Sequence, residues 1–389
     1  MFYPHYYTFF KEFEQRDSLT NPINFILSDG KEGLNEQNLI ANTDRMTVHR
    51  MSDLRDLRKY VDIHKVIRMN KELEVGISKI NKQEHYHTFE IPKASGGKRK
   101  ITAPSKELKM LQQKLVFLLK QGWNLLEHNQ AQAYVENKGI HTNADIHKNS
   151  NYFVKIDFSD FFPSLTEKAL ENILPLIGSL VFAKDENEKN TYKKEAKKTI
   201  ENIKKVATYK GSLPQGAPSS PYLSNLLMVP FDYHMQKFAK ENKVIYTRYA
   251  DDITLSSFRK FEAKTWIEYI DTLVNIDPTR ADTPELKINH DKTRESTKYG
   301  KNRVTGLKVN KDNNVTIGYK EKRRLKQELA SIIIRVKKGK TVPNAEIDET
   351  LGYLAHLHNI EPEYGAYMEK QLIKKLNIPN RAIKDYVRT

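Results

Sequence analysis

The sequence predicts an α+β fold, and three observations predict it. Asn151–Phe158 (NYFVKIDF) is a mostly apolar run that fits a buried strand. Val244–Ser257 (VIYTRYADDITLSS) has two β-rich arms that meet at Ala250-Asp251-Asp252 and fits a hairpin. Stretches with apolar residues at helical spacing lie before, between and after them.

Taken in order, residues 1–50 are polar and mixed, with NPIN and SDGKEG as turn signals, and read as an N-terminal extension. The apolar spacing from Met51 to Lys79 predicts short helices. Two short strands flank Gly96-Gly97 and end at Pro104. Leu108, Leu111, Leu115, Leu118 and Leu119 predict a long amphipathic helix over Glu107–Glu127. Helices are expected over Thr166–Leu180, Tyr222–Lys240 and Phe261–Ile276. The Lys- and Glu-rich stretch Lys184–Lys205 reads as an exposed insertion or a solvated helix. Short strands are expected at Leu286–Ile288 and Val304–Val309, with Asn313–Ile317 pairing nearby. From Tyr319 onward the pattern is helical and basic, broken at Gly339–Pro343, and reads as a separate C-terminal subdomain. The organisation is therefore an extension (1–50), a main domain (51–310) with an insertion near 184–205, and a helical domain (311–389).

Composition narrows the function. The chain has 389 residues, and 65 Lys+Arg against 49 Asp+Glu give a net charge of +16. Such an excess suits a phosphate-rich partner. Cysteine is absent, which excludes disulfides, thiolate metal sites and cysteine nucleophiles and fits a reducing cytoplasm. No signal-peptide pattern opens the chain. The most apolar stretch, Ile173–Ala183, is far short of the roughly 20 residues a spanning helix needs. No membrane role is expected, and the positive charge points to nucleic acid.

Three carboxylates carry the chemistry. Asp157 ends a buried strand, where an unpaired acid is costly to desolvate. Asp251 and Asp252 sit at a hairpin tip, where paired acids repel unless a cation lies between them. Side by side, strand and hairpin would make an oxygen cage for magnesium, and two such ions suit phosphoryl transfer. Alone, Asp251-Asp252 fits an ordinary surface turn. Leu213-Pro-Gln-Gly-Ala-Pro-Ser-Ser-Pro221, just before a helix, changes the context: Gly216 permits close backbone approach and Gln215 offers an amide to a sugar or base. Pairing His147 with His141, His85 or His87 in a zinc site is rejected, because these histidines lack an ordered ligand pattern.

Asp157-Phe-Ser-Asp-Phe-Phe162, Leu213–Pro221 and Tyr249-Ala-Asp-Asp252 occur in the order of the three central motifs of the reverse transcriptase palm, and the chain resembles that family. Asn143-Ala-Asp-Ile-His147 and Val304-Thr-Gly306 further resemble the N-A-x-x-H and V-T-G motifs of bacterial retron reverse transcriptases. The resemblance implies a right-hand polymerase architecture with fingers, palm and a helical C-terminal thumb. It implies that Asp157, Asp251 and Asp252 hold two Mg²⁺ ions, with Mn²⁺ as the substitute. It makes Phe162 the gate against a ribose 2′-OH, Gln215 and Gly216 the nucleotide platform, and Arg99 the triphosphate contact. Lys292 matches a lysine that protonates departing pyrophosphate. Asn143, His147, Val304, Thr305 and Gly306 are implied in RNA or primer binding. Thumb segments such as Tyr319–Arg324 and Arg335–Lys340 would track a duplex.

The implied function is RNA-templated DNA synthesis from dNTPs on a cognate structured noncoding RNA, primed from an RNA 2′-OH. The product would be branched msDNA, made within an anti-phage system that has a separately encoded effector protein. The alternatives are a group II intron-like or other defence-associated reverse transcriptase, and a catalytically dead RNA-binding scaffold.

Overall fold

The computed structural model describes residues 63–80, 85–92, 96–123, 130–172, 186–274, 286–300, 302–379 and 383–388. The N-terminal extension and the expected helix beyond residue 172 lie outside the described residues. The chain divides into two compact units, one built mainly from residues up to Glu295, the other from Gly139–Phe153, Ser257–Lys260 and Ser296–Thr389. The second unit therefore starts before the expected boundary at 310 and draws in the segment that carries Asn143 and His147.

In the first unit, α1 (Ile63–Ile77) is followed by a hairpin of β1 (Tyr86–Pro92) and β2 (Lys98–Pro104). The hairpin closes through Gly96 and Gly97, both at positive φ (89° and 80°), where glycine is the unstrained choice. Next is α2 (Lys106–Trp123), whose Leu108, Leu111, Leu115 and Leu119 are buried at the predicted spacing. After α3 (Ile140–Ile146), which belongs to the second unit, come β3 (Tyr152–Ser159), α4 (Phe161–Ser164), α5 (Glu167–Asn172), α6 (Glu186–Ala207) and α7 (Ser220–Glu241). The hairpin β4 (Ile245–Tyr249) and β5 (Asp252–Ser257) follows, then α8 (Ala263–Val274), β6 (Lys287–Ile288) and β7 (Arg294–Thr297). The sheet order is β4-β5-β3-β6, with β7 also pairing β3. β5 thus lies directly beside β3, as the carboxylate argument requires. Phe158 and Phe231 meet edge-on at 5.7 Å between sheet and α7, and Trp266 and Ile270 of α8 complete that core.

The Lys184–Lys205 reading is corrected. α6 buries Tyr192, Ala196, Thr199, Ile200, Ile203 and Val206 in the main core, and only its other face carries the lysines. The charge count hid an apolar stripe at helical spacing. α6 packs on α1 through Asn70, fully buried, whose amide donates to the Glu195 carboxylate (2.8 Å) and backbone carbonyl (3.0 Å) and accepts from the Thr199 hydroxyl (2.9 Å). Buried amides are tolerated when paired this fully.

The second unit comprises α3, the short pair β8 (Lys308–Val309) and β9 (Val315–Thr316), and helices α9 (Tyr319–Lys337), α10 (Asn344–Ile360), α11 (Pro362–Leu376) and α12 (Ile383–Tyr386). Leu325, Leu329, Ile332 and Ile333 of α9 pack with Leu354 and Leu357 of α10 and with Met368 and Leu372 of α11. Glu361 pins β9 to these helices: it accepts from the Thr316 hydroxyl (2.8 Å) and the Ile317 N–H (3.0 Å) and pairs with Lys322. Val304–Val309 is not one strand. Val304 and Leu307 exchange backbone hydrogen bonds (2.8 and 2.9 Å) around Thr305 and Gly306, at φ 47° and 88°, a tight turn with two left-handed residues. No helix among the described residues is long and apolar enough to cross a membrane.

Two outcomes are expected. Ile200→Ala should cost about 2–5 kcal/mol in urea unfolding, whereas a solvated helix would lose almost nothing. His147 lies fully buried in the second unit, and burial lowers its pKa from 6.5 to about 3. The unfolded chain then binds the proton more readily, so stability should fall as pH drops from about 6.5 toward 3. Melting temperature against pH should show that slope, flattened in His147→Gln.

Candidate active site

The site is built where β3 meets the β4–β5 hairpin. Phe158 N–H donates to the Asp251 carbonyl (3.2 Å), and Asn289 N–H to the Asp157 carbonyl (2.7 Å), so Asp157 is bracketed by the hairpin on one side and β6 on the other. Ala250, at φ 58°, turns the hairpin tip and presents Asp251 and Asp252 to β3. Burial first, then the charge of Asp157, raises the pKa of Asp251. Burial also raises that of Asp252; the Lys155 charge opposes this, while Asp251 and a hydrogen bond with Asp157 add to it.

Such a crowd of acids calls for cations. Lys292, on a 3₁₀ turn (His290–Lys292) after β6, sets its ammonium 2.7 Å from Asp157 Oδ2, and that bond raises its own pKa. Among the described residues no three His, Cys, Asp or Glu side chains stand close enough together to hold a metal ion. The chemistry of the donors nevertheless fits a hard divalent cation: the Asp157, Asp251 and Asp252 charges act on one another, and the last two are destabilised as anions by burial and by that repulsion.

Beneath the hairpin lies an arrangement the sequence reading missed. Arg248 and Asp232 are both fully buried, with Nη2 2.6 Å from Oδ2 and Nε 2.9 Å from Oδ1. The Tyr246 hydroxyl donates to the same carboxylate. Arg248 Nη1 also donates to the Ala250 carbonyl (3.0 Å), beside Asp251. One fork therefore ties α7 to the hairpin tip. The available signal was an arginine inside an apolar strand arm and an aspartate on the apolar face of α7.

Gln215 and Gly216, expected as the nucleotide platform, lie on a loop that two hydrogen bonds hold in place. Thr102 N–H donates to the Gln215 carbonyl (2.7 Å), and the Ser220 hydroxyl to the Pro214 carbonyl (2.7 Å). Gly216 is at φ 123°, and a Cβ there would lie 2.8 Å from Ile101 Cγ2 and 3.0 Å from the Thr102 carbonyl. The loop is thus seated on β2, the strand that carries exposed Arg99. The Arg99 charge reaches Asp251, whose pKa it lowers. Asp160 takes φ 47° where β3 turns into α4. Phe162 follows it, half-buried, its ring edge-on to Phe161 at 5.5 Å.

The remaining candidates sit together in the second unit. Asn143 Nδ2 is 3.5 Å from Thr305 Oγ1, which donates to the Ile140 carbonyl (3.2 Å). Asn143, His147 and Val304 are buried and offer no surface to RNA. Thr305 and Gly306 line a cleft of about 220 Å³ with Arg303, Arg324 and Tyr353.

The carboxylates of β3 and of the β4–β5 hairpin suit metal-assisted phosphoryl transfer. Residues 91–315 match the model of the family described as reverse transcriptase (RNA-dependent DNA polymerase). A retron Ec83 reverse transcriptase of Escherichia coli is 33% identical, over 74% of this chain and 86% of that protein. A retron Ec86 reverse transcriptase of the same species is 30% identical, over 71% and 77%. A solved telomerase structure from Candida albicans aligns with 78% of this chain and 66% of that one, at 11% identity and TM-score 0.41. The chain belongs to the reverse transcriptases, RNA-directed DNA polymerases, and among them to the retron type. The family depends on a divalent metal ion.

Gly216→Ala tests the platform. The added methyl must lift the loop off β2, and a misplacement of about 1 Å costs on the order of 10²-fold in rate. Steady-state dNTP kinetics should show a loss of that order in kcat/KM, with RNA binding retained.

Proposed function

We propose that this protein makes msDNA: it copies part of a cognate structured noncoding RNA into DNA, primed from an RNA 2′-OH, to leave a branched RNA–DNA molecule. The observation that carries this is the joining of two segments some 160 residues apart, N-A-x-x-H and V-T-G, through Asn143, Thr305 and Ile140 in a chain that also holds the acid triad. The reading is supported by relatives named as retron reverse transcriptases.

Asp157, Asp251 and Asp252 would hold two Mg²⁺, with Mn²⁺ able to replace them. When bound, the metal stabilises charge on the attacking and leaving oxygens of phosphoryl transfer. The chain's own residues do the rest. Arg99 meets the triphosphate with a planar fork. The Phe162 ring excludes a 2′-OH. Gln215 and Gly216 support the nucleotide, and the Lys292 ammonium stands at Asp157, ready to give a proton to pyrophosphate. In the second unit, Thr305 and Gly306 with neighbouring Arg303 face the RNA; Asn143 and Val304 hold that turn from behind, and buried His147 caps α3, the helix that carries Asn143. The exposed Lys320, Arg323, Arg324 and Lys326 of α9 add phosphate affinity. A cytoplasmic location, an anti-phage role and a separately encoded effector protein complete the proposal.

Two assays run side by side test it: self-primed synthesis on the cognate RNA, and extension of a supplied primer on a generic template. Asp251→Asn with Asp252→Asn should abolish both and leave RNA binding intact. Asn143→Ala and Arg303→Ala should impair self-primed synthesis at least about tenfold more than generic extension, the scale of one lost charged or turn-fixing contact. Equal losses would leave a general reverse transcriptase as the better description.

A further inference from the structure

We propose that Tyr134 is a nucleic-acid contact residue of the polymerase site, its ring lying against the last base pair of the primer–template duplex. No sequence motif pointed to this residue.

Its backbone is the first observation. Tyr134 takes φ 64°, a conformation that bulky aromatic side chains rarely adopt and that persists only where surrounding structure enforces it. The enforcement is visible. Arg248 N–H donates to the Gln130 carbonyl (2.9 Å) and Gln132 N–H to the Arg248 carbonyl (2.8 Å). Asn225 Nδ2 donates to the Ala133 carbonyl (2.8 Å), and Lys138 Nζ to the Ala131 carbonyl (3.2 Å). Residues 130–133 are thereby fastened to the hairpin strand and to α7, and Tyr134 is where the fastened segment turns.

The strain has no return in packing. The Tyr134 side chain is 44% exposed and belongs neither to the main core nor to the residues packed against it. A buried ring would explain the conformation through packing; a half-exposed one points to something outside the chain.

Position supplies the third observation. Ala131 bridges to Arg248, and Gln132 N–H donates to the Arg248 carbonyl (2.8 Å), two residues before the Ala250 turn; burial first, then the charges of Asp251 and Tyr249, raise the pKa of the nearby Tyr134 hydroxyl, against Arg248 and Arg99. It therefore stands beside the hairpin tip, where the growing 3′ end must come for chemistry. A neutral phenol brings no charge to a triphosphate, and Arg99 is the cation nearby. What the ring offers is a flat apolar face, and bases and sugars match it.

The inference rests on the polymerase activity of the family and not on the retron-specific reading. Wild-type extension of a generic primer–template is the control that separates the two: if it fails, the site reading fails; if it works, Tyr134 alone is at stake. The variants are Tyr134→Phe and Tyr134→Gly. Glycine removes the ring and relieves the backbone, so its melting temperature should be unchanged or higher. Its affinity for a primer–template, read by fluorescence anisotropy, should fall about 10- to 100-fold, the scale of one lost base–aromatic contact. Tyr134→Phe should retain most of it. With 2-aminopurine in the last base pair of the duplex, wild type and Tyr134→Phe should quench its fluorescence and Tyr134→Gly should not. A drop in melting temperature for the glycine variant would make the ring structural. Duplex affinity kept by the glycine variant, with only the dNTP KM raised, would move the contact to the incoming nucleotide. Unchanged kinetics and fluorescence, or a phenylalanine variant as weak as glycine, would overturn the proposal.

Discussion

The buried pair of Arg248 and Asp232 is the constraint around which the first unit is arranged. Both charges have left water completely, and such a pair gains little over apolar packing. Its worth here is directional. The guanidinium spends its donors on one carboxylate and on the Ala250 carbonyl, while its backbone groups bond to Gln130 and Gln132. Helix α7, the hairpin tip and the segment leading to Tyr134 are fixed by one residue. Removing either charge would strand the other in the core, at a cost of about 3–5 kcal/mol. The acids at the tip repel one another, and a hairpin carrying them needs an anchor below that does not yield.

The second unit solves a different problem with similar means. Its small sheet has only two strands of two residues each, too little to stand alone. Glu361 therefore bonds the Thr316 hydroxyl, the Ile317 N–H and Lys322 together. The Thr305-Gly306 turn is held from α3 by the Ile140 carbonyl. A threonine at positive φ is strained, so this turn keeps its shape because its neighbours hold it.

Much of this was legible in the sequence. The central strand, the acidic hairpin, the leucine stripe of α2 and the break before α10 follow from periodicity and turn chemistry. The motif order singled out Asp157, Asp251, Asp252 and the Gln215-Gly216 loop. What escaped shares a physical cause: it depends on partners far apart in the chain. α6 looked solvated because lysines dominate its count, and Asn70, which makes its burial workable, lies 125 residues away from Glu195. Asn143 and His147 were expected at the RNA because the N-A-x-x-H resemblance implies it. Both are buried, and Thr305, hydrogen-bonded to Asn143, is the neighbour that lines the cleft. Arg248 and Asp232 look like unrelated surface charges until the fold removes them from water.

The bond from Thr102 N–H to the Gln215 carbonyl joins the β1–β2 hairpin to the loop that carries Gln215 and Gly216. With the Gly216 backbone seated against Ile101 and Thr102, hairpin and loop form one lever. Arg99 rides on its outer arm and Gln215 on its inner end. Rigid tilting of the hairpin must either drag the loop with it or break that bond. A displacement of Arg99 that moves β2 is thus coupled to the backbone at Gln215 through Thr102, three residues along the same strand.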